Sequence, residues 1–555
     1  MLITSRSHSP HPRPTHAAPT VRELQARSRW ASVANLAVVA AITLFVAWQL
    51  SSSSTAGSPA LLAGAVVAPV ILVWVWRQPV RGVYVLVAAA VMQEATFGRT
   101  FPDDIAHDIP FFEDLSTWTH IRGLPYSIAE LFIAFVLVSW VIKGVAARRL
   151  RFDRGSLMLP LGLYILMCLV GELHGLTTGG NYTLSLWELR GQGYLFVLYV
   201  LACNLVRTRG QVNMIIWTVV VGSGLKAVQA TYRYLVTLHG SLSLRELMPH
   251  EQSYFFNAFI VLALIFYLYG APRRLKRVAL YFLPFVVVAD LANERRAAIL
   301  ALAVGLLCLA VTVAVTHPAR RRVIAFALVT VAVLWIPYYN QYQHDSSVIA
   351  QPARAIASNF SPNAADASSD QYRKDEDKDI IATMRTSPII GYGFGKPMLT
   401  PYPLPNVGYP FWNLLPHDSI LWIWMRMGTV GYLLFWLLIG ASIVQALRLT
   451  RRLRDPYLQG LAAFIAVMIV QEVIVGYLDL QWTSERNAIV VGVLLALVGR
   501  LAAVARVEGS CSAPPLVQAG KRGRVGGRSE ANSPRRPVTG APLQEAHAFA
   551  PSPRG

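Results

Sequence analysis

Long apolar runs separated by short polar connections make up most of this chain. One long polar segment, from about Asn340 to Pro416, interrupts them. A helix that crosses a bilayer needs about 20 predominantly apolar residues. Fourteen runs meet or approach that length: 32–50, 59–76, 80–94, 126–143, 156–172, 192–206, 211–229, 254–270, 278–291, 297–316, 323–338, 418–446, 458–478 and 488–505. The pattern predicts an all-α, polytopic integral membrane protein with about 14 transmembrane helices and one long loop. Residues 1–31 form a basic tail, 32–338 hold eleven spans, 339–417 form the loop, 418–505 hold three more spans, and 506–555 form a second tail.

Charge gives the orientation. One set of connections is basic: Arg77/Arg81, Lys143 to Arg154, Arg207/Arg209, Arg273 to Arg277, Arg320 to Arg322 and Arg448 to Arg454. The alternate set is neutral, acidic or mixed and includes Ser51 to Ser58, the stretch with Asp103, Asp104, Asp108, Glu113 and Asp114, and the long loop. Basic loops stay in the cytoplasm, so both tails are expected there, with the loop on the outer face of the membrane.

Composition narrows the class further. The chain is 54% hydrophobic and 14% charged, with mean hydropathy +0.44. Soluble domains carry about 25% charged residues, so a soluble protein is excluded. The net charge of +20 lies in bursts between apolar runs and in the tails. That distribution fits topology signals and anionic lipid rather than a nucleic-acid stripe. Cys168, Cys203 and Cys308 sit in apolar runs and Cys511 in the tail, with no CxxC or His/Cys cluster, so neither a disulfide framework nor a metal site is expected. Residues 1–30 are too long and too rich in Pro and His for a signal-peptide n-region, so the run 32–50 is expected to be a retained helix. The tail from Val507 is rich in Gly, Pro, Ser and Arg and is expected to be disordered. Gly391-x-Gly393-x-Gly395 lacks the strand–turn–helix context of a dinucleotide site, and no cofactor is expected.

Two residue types carry candidate chemistry. His417 stands where the polar segment meets the next apolar run, in Pro416-His417-Asp418-Ser419. Its structural reading is a loop histidine beside the true helix caps, Asp418 and Ser419. Its functional reading is a general base, since an imidazole with an unperturbed pKa of roughly 6.5 accepts a proton near neutrality. The arginines Arg190, Arg295, Arg296, Arg373 and Arg385 lie near predicted span ends or in the loop. They either snorkel to lipid phosphates or clamp a diphosphate through the planar guanidinium fork. Within the loop, residues 370–384 read as an amphipathic helix with Ile380, Ile381 and Met384 on one face. The run Asp375 to Asp379 reads as its solvated face, because Lys378 sits inside it. His250-Glu251 is a weaker candidate pair, and Glu472 is a carboxylate inside a predicted span.

Read together, these segments resemble the O-antigen ligase and O-antigen polymerase family of bacterial envelopes. Pro416-His417-Asp418-Ser419 with Gly428 and Gly431 downstream is similar to the family's Pro-His-Asn-Ser entry, with Asp418 in place of Asn. Arg373, followed by Thr386-Ser387-Pro388-Ile389-Ile390-Gly391-Tyr392-Gly393, is similar to its arginine-led helix and glycine turn. Asn293-Glu294-Arg295-Arg296-Ala297 resembles its Ser-Arg-Gly-Ala segment, and Glu251-Gln252-Ser253 a looser Glu-Asp-Ser element. The resemblance covers roughly 190–440 and implies a GT-C-like membrane glycosyltransferase.

It further implies an oligosaccharide donor on a polyprenyl diphosphate such as undecaprenyl diphosphate, and catalysis without metal or cofactor. His417 would be the base. Arg190, Arg295, Arg296 and Arg373 would hold the diphosphate, with Glu251, Asp418, Gly391 and Gly393 in support. The acceptor would be another lipid-linked glycan for a polymerase, or lipid A–core for a ligase, and polysaccharide assembly proteins are further candidate partners. The rival from another class is a transporter or flippase for a lipid-linked glycan. It predicts charges deep in several spans and an internal repeat, whereas the notable charges here cluster near one set of span ends. A non-catalytic assembly subunit is the third alternative.

Overall fold

The computed structural model describes residues 59–93, 111–116, 126–241, 247–405 and 408–509. The expected span 32–50, the tail 1–31, the tail beyond 509 with Cys511, and Asp103, Asp104 and Asp108 lie outside the described residues.

Helices stand at each of the thirteen later apolar runs. In chain order they are α1 (Pro59–Arg77), α2 (Val80–Met92), α3 (Ile128–Ala146), α4 (Met158–Thr177), α5 (Tyr182–Leu205), α6 (Arg209–Tyr232), α7 (His250–Tyr269), α8 (Arg273–Ala292), α9 (Arg296–Thr316) and α10 (Arg321–Tyr342). The polar segment contributes α11 (Gln351–Ala357) and α12 (Ala364–Met384). The chain then returns to the bundle in α13 (Ser419–Arg452), α14 (Pro456–Gly476) and α15 (Glu485–Val507). No strand occurs among the described residues; a single bridge pairs Asp114 with Ser127. By length and composition, nine of the described helices suffice to cross a membrane: α3, α4, α6, α7, α9, α10, α13, α14 and α15. The expected fourteen is thus a coarser match. α5 carries Glu188 and Arg190, α8 opens on Arg-Arg-Leu-Lys-Arg, and the apolar stretch of α2 is short. The protein is a multi-pass, all-helical membrane protein.

Polar residues set the helix starts. Ser127 and Glu130 form a reciprocal capping box at α3, and Thr208 and Gln211 another at α6. Asn181, Asn363, Asp418 and Asp455 accept first-turn N–H groups at α5, α12, α13 and α14. In the bundle α15 lies against α5, α13 against α4 and α14, and α9 against α14. α10 buries none of its residues, and Val323, Phe326, Val329 and Val331 are exposed around it. Such an all-round apolar surface suits hydrocarbon.

The polar segment is set into the bundle rather than hung beyond it. α12 packs on α13. After α12 the chain enters a turn in which Gly391, Gly393 and Gly395 all have positive φ, at 94°, 85° and 75°. Side chains are unfavourable there, and space forbids them too. A Cβ on Gly391 would sit 2.4 Å from the Arg426 carbonyl oxygen, and one on Gly393 2.5 Å from the Gly175 backbone. α13 breaks opposite this turn, at Gly428 (φ 65°, ψ −172°). The Tyr392 and Gly393 N–H groups donate to the carbonyls of Met425 and Arg426, and Thr429 and Val430 N–H donate to those of Pro388 and Ile389. The turn therefore completes the backbone hydrogen bonding that the broken helix gives up.

A fully buried ion pair holds this junction. Arg426 Nη2 lies 2.5 Å from Glu188 Oε1, with both side chains removed from solvent. Arg426 also donates to the carbonyls of Gly393, Lys396 and Leu414, and Glu188 accepts from Gly395 N–H and Trp422 Nε1. Removing one partner leaves an uncompensated buried charge, a loss of about 3–5 kcal/mol. Arg426→Met is therefore expected to lower the thermal midpoint in detergent sharply, while Arg426→Met with Glu188→Gln recovers part of the loss. Equal midpoints for the single variant and wild type would show that the pair does not anchor the turn.

Candidate active site

His417 lies on the entry to α13, facing α12. Its Nδ1 is 3.0 and 3.2 Å from the two carboxylate oxygens of Glu376, and its backbone N–H donates to the same carboxylate at 2.9 Å. Glu376 is buried, and the Tyr372 ring meets the imidazole edge-on at 5.6 Å. Glu376 thus fixes the ring orientation and stabilises the imidazolium that forms if His417 accepts a proton. The cap belongs to Asp418, whose Oδ1 accepts from Ile420 and Leu421 N–H at 2.9 and 2.8 Å. The structural reading of Asp418 as helix cap holds, and His417 is left to Glu376.

The expected face of α12 requires correction. The buried positions are Tyr372, Glu376, Asp379, Ile380 and Thr383, whereas Ile381 and Met384 are only half-buried. The acidic run is not one solvated face. Asp375 pairs with Lys378 in solvent at 2.8 Å, while Glu376 turns to His417 and Asp379 accepts from Tyr402 N–H. The spacing 372, 376, 380 and 383 is the helical stripe that the mixed charge conceals.

The turn before α9 assigns a separate duty to each of its residues. Asn293 accepts from Met248 N–H and donates to Ser253 Oγ, joining the turn to α7. Glu294, at φ 52°, accepts from Arg354 of α11 at 2.6 Å. Arg296 grips Asp370 of α12 through both terminal nitrogens, at 2.7 and 3.4 Å. Arg295, between them, lies toward Asp479 in the connection between α14 and α15. Asp479 is buried, which works against its charge, yet His250, Arg295 and His417 together hold its carboxyl well below the ordinary range. Arg373 lies beside Asp377, close to His417. Asp479 and Asp377 thus each feel His417 together with one arginine, Arg295 at the first and Arg373 at the second.

Arg190 and Arg296 are differently placed. Arg190 is buried among Asp114, Glu130 and Glu485, at 2.7, 2.7 and 3.3 Å, and stacks over Trp187. Three carboxylates already surround that guanidinium, so it ties α3, α5 and α15 together. Arg296 is committed to α12. Glu251 lies on the first turn of α7, near Tyr409 and Glu472. Gly391 and Gly393 shape the turn on α13 described above. Sequence reasoning missed Glu376, Asp479, Glu188 and Arg426. The only available signal for Glu376 was its helical spacing with Tyr372 and Ile380.

The fold and site define a multi-pass helical membrane protein in which a polar segment carries a histidine–glutamate pair to arginines at the ends of its helices. Residues 285–436 match the family model described as O-antigen ligase. That stretch contains Arg295, Arg296, α12, the glycine turn and His417, whereas Arg190 and His250 lie before it and Asp479 after it. That match and the apolar helices support a membrane glycosyltransferase-type role. No curated protein matches the chain.

Carboxylates near His417 generate a pH prediction. Burial, with Asp377 and Glu376 adding to it, pushes Asp418 up to about 7 despite the N–H groups of Leu421 and Ile420. Burial and Glu376 push Asp377 up to about 6 against Arg373 and His417. A folded-state value above the ordinary ~3.9 means that the native state binds the extra proton between those limits. Stability from Asp418 is therefore present below about pH 4 and is lost as pH rises to about 7. Asp418→Asn keeps the cap without the charge. It is expected to stabilise the protein on the order of 1–3 kcal/mol at pH 8 and little at pH 4, in denaturation series at the two pH values.

Proposed function

We propose that the protein transfers an oligosaccharide from a polyprenyl diphosphate to an acceptor sugar hydroxyl at the outer leaflet, as a surface-polysaccharide polymerase or O-antigen ligase. The convergence of His417, backed by Glu376, with Arg295 and Arg373 carries this reading. His417 takes the proton of the acceptor hydroxyl, whose oxygen attacks the anomeric carbon. The bond to the diphosphate breaks, and its electron pair leaves on a phosphate oxygen. Arg295 and Arg373 stabilise the charge that grows there. The acid–base step is of a kind worth about 10²–10⁴-fold in rate.

Of the two adjacent arginines, Arg295 takes the substrate role in this reading, because it lies toward Asp479 on the side of His417, whereas Arg296 grips Asp370. The 343–418 segment faces outward and the described basic connections face the cytoplasm, following the charge alternation. Polymerase fits slightly better than ligase, since a ligase also requires an outer-membrane lipid acceptor. A transporter is less favoured, because the site's charges gather at helix ends rather than along a path through the bundle.

His417→Ala is expected to abolish long-chain surface glycan at normal protein level, and Glu376→Gln to shorten it. Unchanged chain length on a gel with His417→Ala would remove the catalytic assignment. The adjacent arginines are expected to separate by phenotype. Arg295→Ala loses glycan while keeping the thermal midpoint, whereas Arg296→Ala lowers the midpoint because α12 loses its strap. The reverse pattern would exchange their roles.

A further inference from the structure

A second histidine–carboxylate pair stands beside the first and takes no part in the reaction as written above. His250 opens α7, and its Nδ1 lies 2.5 Å from Asp479 Oδ2. Asp479 is locked in place. Its other carboxylate oxygen accepts from Leu480 N–H at 2.9 Å, and its backbone carbonyl accepts from Gln481 N–H and from Ser419 Oγ. Ser419 is two residues from His417, and its hydroxyl also donates to Gly476 O at 2.7 Å. The connection that carries Asp479 is therefore bound to the same helix entry that carries His417. The His250 side chain keeps about a quarter of its surface exposed, while Asp479 is buried.

The groups around this pair come from four elements. They are Asp479 on the α14–α15 connection, Arg295 at the start of α9, His417 at the start of α13, and Glu251 next to His250 on α7. Glu376 and Asp377 of α12 lie on the far side of His417. A buried carboxylate in such a short hydrogen bond favours the protonated imidazole. His417 and His250 thus differ in their carboxylate contacts. Asp479 makes the shorter contact, at 2.5 Å against 3.0 Å for Glu376.

We infer that His250, held as an imidazolium by Asp479, is a third cation of the diphosphate site, beside Arg295 and across His417 from Arg373, and that it donates a hydrogen bond to the departing phosphate oxygens. This rests on the glycosyl-transfer reading. His250 keeps its proton throughout; the acceptor's proton goes to His417 and the electron pair of the broken C–O bond to phosphate. The charge of this third cation is lost when the imidazole deprotonates, so diphosphate affinity carries a pH dependence that arginines alone cannot give.

The test is binding of pyrophosphate, supplied as a diester with one alkyl group on each phosphate so that its charge is constant over about pH 6 to 8.5, to the purified full-length protein in detergent. Wild type is expected to bind more weakly as pH rises. His250→Gln is expected to bind roughly 10- to 100-fold more weakly at the acidic end and to lose the slope. His250→Lys is expected to retain binding with no slope over this range. Arg295→Ala serves as the control for the underlying reading. If Arg295→Ala weakens pyrophosphate while His250→Gln matches wild type in affinity and slope, only the inference about His250 falls. If wild type itself fails to bind, the diphosphate reading falls and this inference with it. Loss in His250→Gln with no recovery in His250→Lys assigns His250 a positional role and also overturns its role as a cation. Should the His250 variants not fold, Asp479→Asn decides: the loss of binding should move to lower pH, and an unmoved profile refutes the proposal.

Discussion

Arg426 and Glu188 meet where neither touches water, and the position of the polar segment follows from that meeting. A guanidinium shut inside a helical bundle must satisfy its donors there, and Arg426 does so with Glu188 and the carbonyls of Gly393, Lys396 and Leu414. Those carbonyls belong to the chain between α12 and α13. The pair therefore specifies a path: the segment must pass under α13 at its break and return to Leu414 before reaching His417. Glu188 adds the Gly395 N–H and the Trp422 indole to the same knot. His417 inherits its place from a contact in which it has no share.

The site that results is divided by charge. On one side Glu376, Asp377 and Asp418 surround His417, and burial raises the latter two carboxyls. On the other side Arg295 and His250 flank Asp479, while Arg373 stands beside Asp377 on α12. Such a division suits a reaction in which a proton is drawn off at one end while negative charge grows at the other. A uniformly cationic pocket would hold a diphosphate equally well, but it would oppose protonation of the base.

Helix placement was legible in the sequence because bilayer length and capping chemistry are local properties. Ser127 with Glu130, Thr208 with Gln211, and Asp418 before its apolar run announce their helices. His417 was legible by its position at the boundary. Its partner was not, because Glu376 sits in a run of five charges where composition suggests solvent. Only the packing of α12 shows that Glu376 and Asp379, of the five from Asp375 to Asp379, turn inward. Arg190 shows the opposite difficulty. A lone arginine at a span end looks available until Asp114, Glu130 and Glu485, far away in sequence, are seen to close around it. The pairs Glu188–Arg426 and His250–Asp479 join residues more than two hundred positions apart, a separation that no local pattern encodes.

The break in α13 at Gly428 also limits how the molecule can breathe. The carbonyls released there are claimed by Tyr392 and Gly393, and the N–H groups beyond it by Pro388 and Ile389. Peeling that turn away would strand these backbone groups, plus one unneutralised guanidinium, in a medium that offers no replacement partners. The floor of the chamber is in this sense riveted. In the proposed reaction a bulky, tail-bearing donor would have to use walls fastened more lightly, such as α10, which buries none of its residues.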